Sequence, residues 1–368
     1  MQFDVSKQIL LKAISSVNGA VEKKNTIPVL QNIKIEAADE KVTLSATDMD
    51  ILITSSFEVG MKTSGSTTVP AQMFFDIVRK IPDSSSIIIS QESPTILQIK
   101  SGKSKYNLPC IEASEFPNLS EGELSDEVEI AGDALGKMID KTRFAISNDE
   151  TRYYLNGLYL QAIKKDEDFE LRTVATDGHR MALSFLSKIK VETPFGVILP
   201  KKAVAEIRRV VDGLESIKIS VSRAKIKIVA KQTVIVSKLI DGEYPDYDRV
   251  LPKANNQIAV VNKKDFFDCV DRVSTVATDK NRLIKLTAEN GKINLQVNTN
   301  DGSFAYEELD VNYSGSKIEI GLNSRFLLDI LSQVDKEELM IRFKDNTSPA
   351  LIEAKDMSSV FVIMPVRV

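Results

Sequence analysis

The 368-residue chain repeats itself about every 125 residues, and no other feature constrains its fold as strongly. Ala46-Thr47-Asp48-Met49 in the first segment is matched by Ala175-Thr176-Asp177-Gly178 in the second and Thr299-Asn300-Asp301-Gly302 in the third. Glu115-Phe116-Pro117 near the end of the first corresponds to Glu243-Tyr244-Pro245 near the end of the second. Val69-Pro70, Leu199-Pro200 and Leu322-Asn323 each precede an apolar helical pattern. A period this long exceeds a solenoid unit and describes three copies of one domain. The expected domains are residues 1–125, 126–253 and 254–368, joined by polar, turn-rich connections around 120–126 and 252–257.

The pattern inside each copy predicts an α+β fold of two helices packed on antiparallel strands. An amphipathic helix opens the first copy, with Ile9, Leu10, Ala13, Ile14 and Val17 on one face. Its counterparts carry Leu135, Met138 and Ile139, then Phe266, Phe267, Val270 and Val273. A second helix is predicted around Met73, Phe74, Ile77, Val78 and Ile81, and around Phe326, Leu327, Ile330, Leu331 and Val334. Alternating Val42, Leu44, Ala46 and Ile293, Leu295, Val297 predict strands, as do 217–221 and 224–228.

Composition excludes several classes. With 43% hydrophobic and 27% charged residues, the chain can bury real cores and is not globally disordered. No apolar run reaches the roughly 20 residues that span a bilayer. The opening MQFDVSKQIL shows no secretory signal, and two cysteines without C-x-x-C spacing suit a reduced setting, so a cytoplasmic location is expected. A single histidine, His179, argues against histidine-based metal sites and relay triads. The stretch from Gly60 has phosphate-loop spacing but Ser66 where lysine is required, and Gly102-Lys103-Ser104 lacks the first glycine, since Leu97 stands there. No catalytic residue, metal or cofactor is expected, and the chain reads as a non-enzyme.

The net charge of −4 argues against DNA binding by bulk charge. The predicted helices are nonetheless basic. Lys201 and Arg208 share a helical face, as do Lys202 and Arg209, and Lys137 with Lys141. Lys7, Lys12, Arg79, Lys80, Lys263, Lys264 and Arg272 fall on the other helices or at their ends. A basic helical layer on an acidic protein implies charge segregated to one surface, where phosphates could be met without base readout.

Several separated motifs, in order, resemble one family: the bacterial DNA polymerase III β subunit, the sliding clamp. They are Tyr153-Tyr154-Leu155-Asn156-Gly157, Thr173-Val174-Ala175-Thr176-Asp177-Gly178-His179-Arg180, Leu239-Ile240-Asp241-Gly242-Glu243-Tyr244-Pro245-Asp246-Tyr247, Arg249-Val250-Leu251-Pro252 and the terminal Met364-Pro365-Val366-Arg367-Val368. The resemblance covers the whole chain. It implies a DNA polymerase processivity factor: two chains joined head to tail in a ring, helices lining a hole for duplex DNA, strands outside. The partners it implies are double-stranded DNA, held topologically and without sequence preference, a second copy of the chain, the polymerase III catalytic subunit, the clamp loader and other proteins with clamp-binding motifs. The alternative carried with it is a multidomain interaction scaffold without DNA.

The resemblance also implies sites. A peptide pocket between the second and third domains would use Leu155, Thr176, Gly178, His179, Arg180, Met181, Pro245, Arg249 and Val250. Its other side would use Asn323, Phe326, Thr347, Pro349, Val362, Ile363, Met364, Pro365, Val366 and Arg367. DNA contacts would come from Lys24, Tyr153 and Tyr154 with adjacent Arg152, added to the helical Arg79, Lys80, Lys137, Lys141, Lys201, Lys202, Arg208, Arg209, Lys263 and Lys264. At the subunit seam, Tyr106 and Leu108 would face Thr275 and Val276 of the other chain. Three positions depart from the family pattern: Asp248 beside Arg249, Pro349, and Phe326 in place of tyrosine.

Overall fold

The computed structural model describes the chain except residues 23–25, 84, 120, 121, 126, 278–281, 355–357 and 368. Lys24, the two ends of the first expected linker and Val368 of the terminal motif therefore lie outside the described residues. The chain packs as two compact units, residues 1–136 with 202–239, and residues 137–201 with 240–368. The middle repeat is thus divided between them.

Among the described residues, six α-helices form in the expected pairs: α1 (Lys7–Val17), α2 (Ala71–Lys80), α3 (Gly132–Thr142), α4 (Lys201–Val211), α5 (Lys263–Ser274) and α6 (Ser324–Leu331). Their apolar spacing is what selects helix. α1 buries Leu10, Ala13, Ile14 and Val17, and α5 buries Phe266, Cys269, Val270 and Val273. Caps fix where helices start: Ser6 accepts from the Ile9 amide, Asn262 from Lys264 and Asp265, and Asn323 from Phe326. In α2 the buried stripe is Ala71, Phe74 and Val78, while Met73 remains exposed.

One expectation needs correction. Each copy opens on a strand (Gln2–Ser6, Val128–Ile130, Gln257–Asn262) and not on its helix. These strands are short or carry polar residues at alternate positions, so the stronger helical period next to them dominates a sequence reading. The second linker consequently stops short of Gln257, which already belongs to a strand.

The first unit holds two antiparallel sheets. One runs in the order 60–63, 2–6, 86–93, 96–101, 104–109. The other runs 128–130, 217–221, 225–230, 233–238, 51–58, 41–47, 32–38, 65–70. The second unit repeats the scheme. Its larger sheet runs 195–200, 157–165, 168–176, 180–189, 359–363, 350–354, 338–343, 257–262, 312–313, and its smaller one 304–310, 292–298, 283–289, 318–323.

Both large sheets continue from one copy into the next. In the first unit, strand 51–58 of copy one pairs with the last strand of copy two, Ile51 opposite Ser237 and Ser55 opposite Thr233. In the second, strand 180–189 of copy two pairs with the last strand of copy three, Arg180 opposite Ile363 and Ser184 opposite Ser359. Among the edge strands are the two that correspond to the strands joined between copies: 104–109, the last of copy one, and 304–310, the strand of copy three that corresponds to 51–58 and 180–189.

The helix-to-sheet core is tightly closed. Phe266 is fully buried and lies in α5, which packs on the smaller sheet of its unit. Replacing Phe266 with Ala should destabilise that unit by about 3–5 kcal/mol, the usual cost of emptying a buried phenylalanine site. Urea unfolding followed by circular dichroism checks this.

Candidate functional site

In the second unit, two segments far apart in sequence meet. The turn after strand 168–176 is held by its own side chains. Asp177 Oδ1 accepts from the His179 and Arg180 amides at 2.9 and 3.0 Å, and Thr176 Oγ1 accepts from the Gly178 amide at 3.1 Å. Gly178 takes φ +88°, and a Cβ there would lie 2.7 Å from the Arg152 guanidinium, so glycine suits the position twice over. The C-terminal tail then lies against this turn. The Met364 amide donates to the His179 carbonyl at 2.8 Å, and the Val366 amide donates to the Gly321 carbonyl at 2.9 Å.

Beneath the turn is an apolar cluster of Leu155, Val174, Met181, Leu183, Ile198, Tyr244, Tyr247, Leu351 and Val362. Met181 and Val362 face each other across the strand pair. His179 and Met364 are exposed beside it, and the His179 ring stacks on Phe326 at 6.2 Å. Exposed Met364 and Val250 leave apolar surface uncovered. Met is suited to partners of varied shape because it repacks easily.

The loop 239–251 is pinned by aromatic and ionic contacts. Tyr244 stacks flat on Tyr159, with centroids 4.6 Å apart, and burial holds its phenol protonated well above the ordinary range. Tyr247 donates to Gln161 at 2.6 Å and accepts from Arg172 at 3.2 Å. Arg172 also pairs with Asp248 at 3.3 Å and with buried Glu170 at 2.8 Å. Asp248, the departure from the family pattern, is therefore paired with Arg172 on the neighbouring strand. Arg249, its neighbour, keeps an 85% exposed side chain paired only with Asp246 among the described residues.

Other positions expected in the pocket are placed differently. Ile363 is fully buried and offers no surface. Thr347 is held in a turn by Asp345, and the Pro349 carbonyl accepts from Asn255 at 2.9 Å. Pro245 and Arg367 are exposed, Pro365 half-buried. Sequence reasoning missed Phe144 and Asp329, which both contact Arg180. Asp329 lies three residues after Phe326 on α6, so helical spacing from a named pocket residue was the available signal.

The basic helices are largely internally compensated. Lys202 pairs with Asp48 at 2.6 Å, Arg208 with Asp212 at 2.9 Å, Arg79 with Asp76 at 3.0 Å and Arg152 with Asp149 at 2.9 Å. Arg209 donates to the Ser15 and Ser16 carbonyls and to Glu206, and Lys141 to Ser358 with Asp335 nearby. Lys201 donates to Asn148, Lys264 lies 3.5 Å from Asp268, and Lys80 is exposed at the end of α2. Lys137 and Lys263 form no ion pair among the described residues. Tyr153 is 55% exposed and meets the Tyr154 ring edge-on. At the expected seam, Tyr106 and Thr275 are exposed and Val276 is half-buried. Leu108 is 1% exposed, spent in the core of its own unit.

A thrice-repeated α+β unit whose sheets run on from copy to copy defines the clamp class of fold. Three family models agree with it in order: the N-terminal domain of the DNA polymerase III β subunit over residues 1–120, its central domain over 129–246 and its C-terminal domain over 248–367. The β sliding clamp of Caulobacter vibrioides is 40% identical over the full length of both chains. The solved Caulobacter crescentus β sliding clamp is similar at a TM-score of 0.95 and 40% identity, over 100% of this chain and 99% of the other. A Bartonella birtlesii sliding clamp solved bound to griselimycin is similar at 0.94 and 39% identity over all of both chains. The chain belongs to the DNA polymerase III β subunit family, the bacterial sliding clamps. No described helix is long and apolar enough to cross a membrane.

Burial works against the charge on Glu170, but hydrogen bonds and charge from Arg172 and Lys165 outweigh it and hold its carboxyl below the ordinary 4.5. The stability this group contributes is present above its unfolded value and is lost as pH falls through the lower folded value. Glu170→Gln should lower stability at neutral pH by about 3 kcal/mol and flatten the loss of stability below pH 4.5. Urea midpoints measured from pH 3 to 7 check both.

Proposed function

We propose that this chain is the processivity factor of a bacterial replicative polymerase, a non-catalytic accessory subunit that works in the cytoplasm on double-stranded DNA. Two copies close head to tail into a ring around the duplex, and the exposed groove of the second unit tethers the polymerase III catalytic subunit, the clamp loader and other carriers of clamp-binding motifs.

The observation that carries this reading is the pair of unpaired edges. Copies one and two each close the same strand against the last strand of the following copy. Among the described residues, the corresponding strand of copy three, 304–310, and the last strand of copy one, 104–109, each have a neighbour on one side only. A second chain supplies each missing neighbour, and a head-to-tail contact made twice closes a ring. The edges also suit each other in charge: Lys105 is exposed on one and Asp310 on the other, where Glu307 and Glu308 already pair with Arg272 and Lys292. The seam then runs along 104–109 and 304–310, through Tyr106, Phe304 and Tyr306, with Thr275 and Val276 beside it. Leu108 supports it from within.

Division of the chain at 125/126 and 253/254 follows the same repeat. In the ring, α1 to α6 and their partner copies face the hole. Internal ion pairs moderate their charge, and weak phosphate contacts suit a tether that must slide. Lys24, Arg152, Tyr153 and Tyr154 would meet the duplex at one rim. The scaffold reading without DNA gains no support from any particular observation.

Sedimentation at micromolar concentration should give about twice the 40.8 kDa chain mass. Loaded protein should be retained on circular DNA and lost when the circle is cut. A stable monomer, or equal retention on short linear DNA, contradicts the ring. Separately, Met364→Ala, or removal of residues 364–368, should weaken a peptide carrying the polymerase's clamp-binding motif by about 1–3 kcal/mol while leaving the dimer intact. Fluorescence polarisation of the labelled peptide measures it.

A further inference from the structure

Arg180 stands in the groove by sequence, yet each nitrogen of its guanidinium already donates a hydrogen bond within the chain. Nε donates to Asp177 at 3.1 Å, Nη1 to Asp329 at 2.5 Å and Nη2 to the Phe144 carbonyl at 2.9 Å. Its faces are covered as well: the Phe326 ring lies 4.5 Å from the guanidinium carbon and the Phe144 ring 5.0 Å. Its side chain is only 11% exposed. A guanidinium held at every nitrogen, stacked on two rings and largely buried offers a ligand only a small part of its surface. What it can do is fix the groups around it.

We infer that Asp329, which lies outside the groove, is a positioning residue for peptide binding: by drawing Arg180 onto α6 it locks Phe326, and through Phe326 the His179 ring that borders the groove. This deepens the proposed peptide-binding role and rests on it. The chain of contacts is continuous. Asp329 and Phe326 stand three residues apart on α6, one turn of the same face. Phe326 takes Arg180 at 4.5 Å and the His179 ring at 6.2 Å. His179 in turn holds the tail through its carbonyl and the Met364 amide.

Asp177 is committed by its other oxygen to the turn amides, so it cannot replace Asp329 on the far side of the guanidinium. Without the Asp329 carboxylate, Nη1 loses its partner and the stack on Phe326 loses the charge that holds it in place. The groove then has to order its own wall when it binds, and affinity falls without any contact to the peptide being removed.

His179 is the chain's single histidine, so its imidazole gives one unambiguous signal in a proton–carbon NMR spectrum. Asp329→Ala should shift that signal away from its Phe326-stacked position and weaken the motif peptide about fivefold, within the range of coupled neighbours. Asp329→Glu, which restores the charge, should return both readings toward wild type, and Asp329→Asn, which keeps size alone, should not. The circular dichroism spectrum at room temperature should be unchanged across the set, so each variant is compared in its folded state. An unshifted imidazole signal in Asp329→Ala overturns the inference, and so does a glutamate variant that behaves like the alanine one. Should wild type bind no peptide, the groove's proposed role fails, while the imidazole signal, which needs no peptide, still decides whether Asp329 positions His179.

Discussion

Backbone hydrogen bonding at strand edges is the demand around which this chain is organised. An edge strand carries a row of amides and carbonyls without partners. Here the open edges of copies one and two are met by the next copy's last strand, so 51–58 is closed by 233–238 and 180–189 by 359–363. Sheet continuity across copies follows, and with it the division into two units that cut through the middle repeat. The exposed His179 and Met364 lie at one of these joins because the join is where a turn of one copy and the tail of the next are brought side by side.

The two joins are built alike and finished differently. At the first, the Lys238 amide donates to the Asp50 carbonyl, as the Met364 amide does to His179 at the second. The side chains differ. Lys238 and Asp50 form an ion pair at 3.0 Å, and Lys202 pairs with Asp48 beside them. The second join instead presents His179, Phe326 and Met364, apolar or aromatic groups with one polar edge. Charged side chains prefer water to apolar surroundings, so the first join favours solvent where the second leaves apolar surface uncovered. One template thus yields an apolar and aromatic surface at the second join and a charged surface at the first.

The helices show a related economy. Their apolar stripes are committed to the sheets, so function can draw only on the outward residues. Several of those are basic, but Asp48, Asp76, Asp212 and Glu206 hold many of them at close range. Exposed pairs of this sort contribute little to stability. Their larger effect is to limit how strongly the surface attracts phosphate.

The repeat, the six helices and many of the strands were legible in the sequence, because apolar period and capping are local properties. Leu10, Ala13, Ile14 and Val17 declare a helix wherever it docks, and Asp177 builds its turn from residues within three positions of it. The motifs around Thr176 and Met364 could also be read, but only as strings. That they touch was decided by the pairing of 180–189 with 359–363, a contact between strands about 175 residues apart. The same holds for the roles of Arg180, Leu108 and Ile363. Sequence alone cannot say whether an arginine reaches solvent or is stacked between Phe144 and Phe326, nor whether a leucine faces a partner or its own core. Local period sets which residues turn inward together; only the folded chain sets what they turn toward, because burial and ion pairing depend on neighbours distant in sequence.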